Sequence, residues 1–346
     1  MPAKKNPKNI IFPSELRFDL VSKDWVVVAT GRAKRPETFK KEKRQKASLS
    51  VKKCPFCNIY TQAKPVSVWV NGKKITGNDT LKDWTAVVIP NKFPVFLPYK
   101  NLEEKTEGNL YQKMNAVGFH EVVVTRNHTK SLGQLEIKKI KEVIDVYQDR
   151  YLDLMKKDFV NHISIFYNHG VEAGASISHP HSQIIATYLI DVDLNKALET
   201  SRNYYQKTKK CIYCQMSEWE RKVGERIVFE NKEFLAICPF ASKSSFEVII
   251  SPKKHLSFFE KITEKEKWQL AEAFQAALSK LYKGINDPAY NFYLHTAPCD
   301  GKDYPFYHWH WTILPKTSIW AGFELGTKIE ISTIEPEKAA EYLRKQ

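Results

Sequence analysis

The sequence predicts an α+β protein made of two similar halves, each an antiparallel sheet with helices packed on it. Three observations carry this prediction: a repeated order of motifs, short β-branched strands, and two long amphipathic helices. In the first half, Cys54-Pro-Phe-Cys57 is followed by GFHEVVVT ending near His128. A helical stretch, ISIFYN and His179-Pro-His181 come next. In the second half, Cys211-Ile-Tyr-Cys214 is followed by FEVIIS ending near His255. Another helical stretch, NFYLH and His308-Trp-His310 come next. The two histidines flanking each helix are 51 and 53 residues apart. From first cysteine to first histidine the gaps are 74 and 44 residues, so the first half carries an insertion, placed around VNGKKITGND. Internal similarity of this kind indicates a repeated structural unit.

The elements follow from local patterns. Ile140, Val143, Ile144, Tyr147, Tyr151 and Leu154 recur at helical spacing. In the second half Thr263 and Glu266 form a capping-box pattern, and Trp268, Ala271, Phe274, Leu278 and Leu281 make a buried stripe. Gly284 is placed to end that helix. EVVVT, FEVIIS and WTIL are short, β-branched strands. The halves are expected over residues 1–190 and 191–346, with the polar stretch from about Asp191 to Lys210 linking them.

Composition narrows the class. With 346 residues, 42% hydrophobic and 27% charged, the chain has room for two cores and the balance of an ordinary globular protein. No apolar run is long enough to cross a bilayer. Met1 to Asn9 lacks the apolar segment of a secretory signal, so a cytoplasmic protein is expected. The net charge of +15 and pI near 9.3 suit nucleic acid or a phosphorylated small substrate. Much of that charge sits in one polar run, from Lys40 to Lys53, which reads as a solvated loop.

Zinc takes four tetrahedral Cys and His ligands, and a Cys-x-x-Cys turn supplies two. The repeated order points to two sites: Cys54, Cys57, His128 and His179, then Cys211, Cys214, His255 and His308. Four protein ligands leave no open position, so both sites are expected to be structural. A redox dithiol is disfavoured, because neither pair opens an obvious helix.

Chemistry then falls to Gly174-Ala-Ser176-Ile-Ser-His179-Pro-His181-Ser-Gln183. On a strand, His179, His181 and Gln183 would share a face. A neutral imidazole is a competent nucleophile towards phosphorus, given a partner on its other nitrogen and donors for the phosphoryl oxygens. His181 is the expected nucleophile, with Ser176 and Gln183 as donors.

The segment HPHSQ resembles the active-site motif of galactose-1-phosphate uridylyltransferases, a branch of the histidine-triad superfamily. WVVVATGRAKRP with Arg32 and Arg35, CPFC, NKFP from Asn91, NHTKSL around His128, YNHG with Asn168, and AGFELGT from Ala321 to Thr327 follow in that family's order. The resemblance implies two histidine-triad-like halves and a ping-pong reaction. His181 would attack the α-phosphorus of a nucleotide sugar, and a second phosphate compound would then accept the nucleotide. It implies that Gln183 steadies the transferred phosphoryl group. Arg32, Arg35, Asn91, Asn168 and Ser176 would hold nucleotide and phosphates. Phe323 and Glu324 would reach a hexose, across the interface of a homodimer.

Two branches are close: UDP-glucose:hexose-1-phosphate uridylyltransferases and ADP-glucose phosphorylases, whose acceptor is inorganic phosphate. Cys211/Cys214, PKKH at His255 and GFELGT resemble the second branch. Ser182 stands where the first often has glycine. The partners expected are a nucleotide sugar and a sugar 1-phosphate or phosphate, with no nucleic acid and no membrane. His308-Trp-His310 lacks both the Gly-Ala-Ser lead-in and the glutamine, with Thr312 in its place, and reads as a decayed copy. A reading from another class is a zinc-ribbon nucleic-acid-binding protein, on the paired Cys-x-x-Cys units and the charge. It leaves HPHSQ without a task.

Overall fold

A computed structural model describes residues 14–29, 39, 50–75 and 81–346. In chain order, β1 (Ser14–Phe18) and β2 (Trp25–Ala29) form a hairpin. The first half continues with β3 (Ser67–Val70), β4 (Lys73–Ile75), β5 (Ala86–Pro90), β6 (Lys105–Glu107), β7 (Tyr111–Lys113) and β8 (Gly118–Thr125). Helix α1 (Ile137–Leu154), β9 (His162–His169) and β10 (His181–Thr187) complete it. Helices α2 (Val192–Thr208) and α3 (Ile212–Val223) lead into β11 (Ile227–Glu230), β12 (Phe234–Ile237) and β13 (Val248–Pro252). Then come α4 (Glu264–Gly284), β14 (Tyr290–His295), β15 (His310–Pro315), α5 (Gly322–Thr327), β16 (Ile331–Ser332) and α6 (Pro336–Arg344).

Both halves contribute to one eleven-stranded sheet, ordered β11-β12-β13-β15-β14-β9-β10-β8-β5-β3-β4. Every pairing in it is antiparallel. Outward from the β9–β14 junction, one side reads β9, β10, β8, β5, β3 and the other β14, β15, β13, β12, β11. Strand, helix and strand thus occupy corresponding places on either side of the junction.

Helices α1 and α4 pack against each other on one face of the sheet. The alternation along β10 shows how the faces divide. Ser182, Ile184 and Ala186 are buried against the helical layer, while His181, Gln183 and Ile185 point to the other face. The core between the layers is aromatic. Trp311 of β15 meets Tyr147 of α1 and Phe274 of α4 at ring-centroid distances of 5.8 and 5.3 Å. Helix α4 starts with the expected capping box, Thr263 accepting from the Glu266 amide while Glu266 reaches back to the Thr263 amide. It ends at Gly284, whose carbonyl accepts from the Tyr342 hydroxyl at 2.9 Å.

Several expectations are corrected. Trp268 is 43% exposed, outside the core stripe, with the Lys141 ammonium 5.5 Å from its ring. The polar stretch after Asp191 is helix α2, since the Asp191 carboxylate accepts from the Leu194 amide as an N-cap. Leu194 and Leu198 then anchor that helix against Tyr304, Phe306 and Tyr307. The extra length of the first half lies in two places. One is the β3–β4 hairpin at the expected segment, whose residues 76–79 fall outside the described residues. The other is the stretch 91–117, holding β6 and β7, where the second half has only 238–247 between strands.

Candidate active site

Two clusters of metal-type ligands are present among the described residues. Cys54, Cys57, His128 and His179 bring one ligand atom each to within 4.8 Å of one another, as do Cys211, Cys214, His255 and His308. In the first, sulfur-to-nitrogen distances are 3.1 to 3.5 Å and the two Nδ1 atoms are 3.2 Å apart. In the second, Cys214 Sγ lies 3.4 Å from both Nδ1 atoms. Ligands about 2.0–2.3 Å from a tetrahedral ion stand roughly 3.3–3.8 Å apart, so both clusters fit zinc. The buried histidines are already oriented for it. His179 Nε2–H donates to the Thr125 carbonyl at 2.7 Å, and His308 Nε2–H to the Pro252 carbonyl at 2.9 Å. Each Nδ1 lone pair therefore faces the thiols.

The first Cys-x-x-Cys sits in a turn after a short 3₁₀ segment, but Cys211 is the N-cap of α3. The second pair does open a helix, contrary to expectation. Its thiols nevertheless face two imidazoles, a ligand arrangement. The two pairs belong to separate clusters and each takes histidines from distant strand ends. They do not converge on one ribbon site.

The strand β10 begins at His181, so His179 lies just before it, with its ring turned into the metal cluster. Only His181 and Gln183 share a sheet face. His181 Nδ1–H donates to the His179 carbonyl at 2.8 Å. This leaves Nε2 with the lone pair and without a partner among the described residues. Phe56, between the first two cysteines, packs on the His181 ring with centroids 4.9 Å apart. Burial lowers the His181 pKa, which favours the neutral, nucleophilic imidazole. One cluster thus holds His179, and His179 holds His181.

Gln183 is oriented by residues from two other segments. His120, on the adjacent β8, accepts from the Val95 amide at Nδ1, 3.3 Å away. Its proton is then on Nε2, which lies 2.8 Å from Gln183 Oε1 and donates to it. Asn91 Oδ1 is taken by the Phe93 amide at 2.9 Å, so Asn91 Nδ2 is a donor; it stands 3.0 Å from His120 Nε2, whose proton is directed to Gln183, and 3.4 Å from Gln183 Oε1. With Oε1 held from two sides, the Gln183 NH₂ is left to donate. Burial lowers the His120 pKa, keeping this ring neutral too. Sequence reading missed His120, Phe56 and Tyr147, whose hydroxyl pairs with Ser182 beneath the site. His120 lies in GFHEVVVT at the same alternation as Val122 and Val124, a cue that its side chain faces one side of the sheet with theirs.

Asn168 is the penultimate residue of β9, near His181: Tyr167 opposes Ser182, and Asn168 is one step further out. Its Oδ1 accepts from Asn291 Nδ2 at 2.8 Å, and the same amide donates to the Ala173 carbonyl at 2.9 Å. Gly170 begins the following loop at φ +84°, where a Cβ would lie 2.7 Å from that of Ala289. Ser176 is exposed on this loop. Arg32 and Arg35 lie outside the described residues. Phe323 and Glu324 are on the short α5, where Glu324 accepts from the Ala321 amide at 3.0 Å and Phe323 is half exposed. Within one chain neither is brought into contact with His181.

The Galactose-1-phosphate uridyl transferase N-terminal domain model matches residues 3–190, and the C-terminal domain model of the same name matches 197–345. The chain is 31% identical over 336 residues to the ADP-glucose phosphorylase of Arabidopsis thaliana, covering 95% of this chain and 92% of that protein. It is 30% identical over 342 residues to the galactose-1-phosphate uridylyltransferase of Thermotoga maritima, covering 95% and 98%. The crystal structure of an ADP-glucose phosphorylase from Arabidopsis thaliana with bound ADP-glucose matches at a TM-score of 0.79 and 29% identity, covering 96% of this chain and 99% of that one. A histidine held by a metal-type cluster, a glutamine aimed beside it and two domain models in tandem agree: the chain belongs to the galactose-1-phosphate uridyl transferase family.

Proposed function

We propose that this enzyme is a nucleotidyltransferase acting on nucleotide sugars through a nucleotidyl-His181 intermediate. The observation that carries the proposal is the His181 Nδ1–H bond to the His179 carbonyl, which presents Nε2 as the nucleophile beside the Gln183 amide. In the first step the Nε2–P bond forms and the bridging P–O bond breaks, releasing sugar 1-phosphate. In the second, an oxygen of the acceptor phosphate attacks and the P–N bond breaks, regenerating neutral His181. The Gln183 NH₂ donates to a non-bridging oxygen as charge develops. Asn91, Asn168, Ser176, Arg32 and Arg35 hold the nucleotide and its phosphates. Phe323 and Glu324 contact the hexose from a second subunit of a homodimer, consistent with the exposed position of Phe323 on α5.

Zinc would suit both clusters, held by Cys54, Cys57, His128 and His179 and by Cys211, Cys214, His255 and His308, and would fix structure there; with His179 so held, the carbonyl that orients His181 would be steadied. The two halves, divided at 190/191, are histidine-triad-like copies, supported by the matching strand order on either side of β9 and β14. A reducing, cytoplasmic setting suits six free cysteines. No helix among the described residues is long and apolar enough to cross a membrane.

UDP-glucose:hexose-1-phosphate uridylyl transfer is the first reading. ADP-glucose phosphorolysis is the second, favoured by the near full-length similarity to the Arabidopsis thaliana enzyme. Intact-mass spectrometry after mixing with UDP-glucose or ADP-glucose, without acceptor, separates them. A UMP-sized gain supports the first and an AMP-sized gain the second. Either gain must vanish in His181→Ala. A gain that persists in that variant overturns His181 as the carrier.

A further inference from the structure

The second His-x-His is built like the first. His310 Nδ1 lies 3.2 Å from the His308 carbonyl, against 2.8 Å for His181 and His179. Tyr213, inside the second Cys-x-x-Cys, stands 5.4 Å from the His310 ring, as Phe56 stands 4.9 Å from His181. His310 begins β15 as His181 begins β10, and both rings face away from the helical layer. The Nε2 of His310 has no partner among the described residues.

A cavity of about 1030 Å³ opens over His310. This is at the upper end of the range for small-molecule sites, roughly 300–1,000 Å³. Its walls are aromatic. His295 of β14 stacks on His310 with centroids 4.6 Å apart at 25°, Tyr293 stands edge-on to His295 at 5.1 Å, and Tyr213 closes the other side. His295 and His310 are deep in the molecule yet remain partly accessible, because the cavity reaches them. A polar edge is also present, where Lys196 and Lys243 meet the Asp24 carboxylate at 3.0 and 3.2 Å.

The glutamine and the glycine-bearing loop beside His181 have no counterpart in the described lining of this cavity. Thr312 occupies the place of Gln183, and the loop before His308 contributes Tyr307 but no glycine to the lining. The cations of the lining are already engaged by carboxylates, Lys196 and Lys243 by Asp24 and Arg226 by Glu220 and Glu337, which leaves them less suited to a phosphoryl group. What remains is a set of flat ring faces, two imidazole edges and a polar rim. Stacking faces take a heteroaromatic base of any identity, the imidazole edges pair with its ring nitrogens, and the paired charges at the rim suit sugar hydroxyls.

We propose that the cavity over His310 and His295 is a second, non-reacting site for an unphosphorylated nucleoside. It does not depend on which nucleotide sugar reacts at His181.

The test follows histidine ring signals of the full-length protein by NMR during titration with adenosine and, separately, uridine. His295→Gln and His310→Gln assign the two signals. The expected result is a saturable movement of both signals with at least one nucleoside, retained in His181→Ala. His295→Ala should weaken that binding about ten-fold or more, with the metal content of the second cluster unchanged as a check on folding. The proposal is overturned if only His120 and His181 respond, if no histidine signal moves with either nucleoside, or if His295→Ala binds as tightly as the parent. Because retention in His181→Ala is read as binding, failure here is separable from failure of the covalent step, which is read as a mass gain.

Discussion

His120 Nε2 and Gln183 Oε1 are 2.8 Å apart, and the direction of this bond decides which end of the Gln183 amide is left free beside His181. The Val95 amide at Nδ1 places the imidazole proton on Nε2. His120 is thus a positioning residue that acts through Gln183. In His120→Ala the amide can rotate and present its oxygen to the incoming phosphate. A drop in kcat of roughly 10–100-fold is expected, with KM changed far less. Steady-state kinetics with the accepted nucleotide sugar check it. The matching variant Gln183→Ala should gain little further loss from His120→Ala, since both remove one donor; additive losses would refute the coupling.

The metal clusters share no ligand, so each should empty separately. Cys54→Ser is expected to lower zinc from about two to about one per chain, and Cys211→Ser likewise, each with a lower Tm. Elemental analysis beside a thermal melt measures this. Unchanged zinc in Cys54→Ser would take that residue out of the site.

Ser182 points into the helical layer and pairs with the Tyr147 hydroxyl, both groups buried. Tyr147→Phe leaves the Ser182 hydroxyl unpaired and should destabilise the protein by about 1–3 kcal/mol. Ser182→Gly strands the Tyr147 hydroxyl and adds backbone freedom within a strand. The double variant should recover part of the loss, as denaturant unfolding of the four proteins would show.

Glu247 is 5% exposed, and burial pushes its carboxyl up to about 7, against the charge of Lys243 and the amides of Lys243 and Ser244. The folded state therefore keeps this proton where the unfolded chain loses it. The contribution is complete below about pH 4.5 and is lost as pH rises through about 7. It corresponds to roughly 3 kcal/mol across that window. Glu247→Gln should flatten the decline in stability between pH 5 and 8, measured by urea unfolding at a series of pH values. An unchanged slope would assign the decline to other groups.

Much of the site was legible because its chemistry is written in short runs. CPFC marks a turn, HPHSQ the start of a strand and CIYC the start of a helix, and the repeated order tied them to distant histidines. His120 was hidden because a single histidine in a β-branched run has no local signal; its role depends on Val95 and Gln183, which only the sheet brings near. Helix α2 was obscured by its polar surface, since only Leu194, Leu198 and Ser201 are buried along it. The fold class followed from the two long helical stripes and the alternating strands. Trp268 fell outside its stripe because its ring rests under Lys141 at the rim of the helix pair.

The amide of Asn291 grips Asn168 and the Ala173 carbonyl across the β9–β14 junction. During synthesis, HPHSQ leaves the ribosome more than a hundred residues before Asn291 does. The loop beside His181 must wait for that later strand, so contacts of large sequence separation gate its assembly. A nascent chain stopped at 190 would carry His181 with its cradle unfinished. Chemical competence therefore arrives late, as a property of the completed polypeptide.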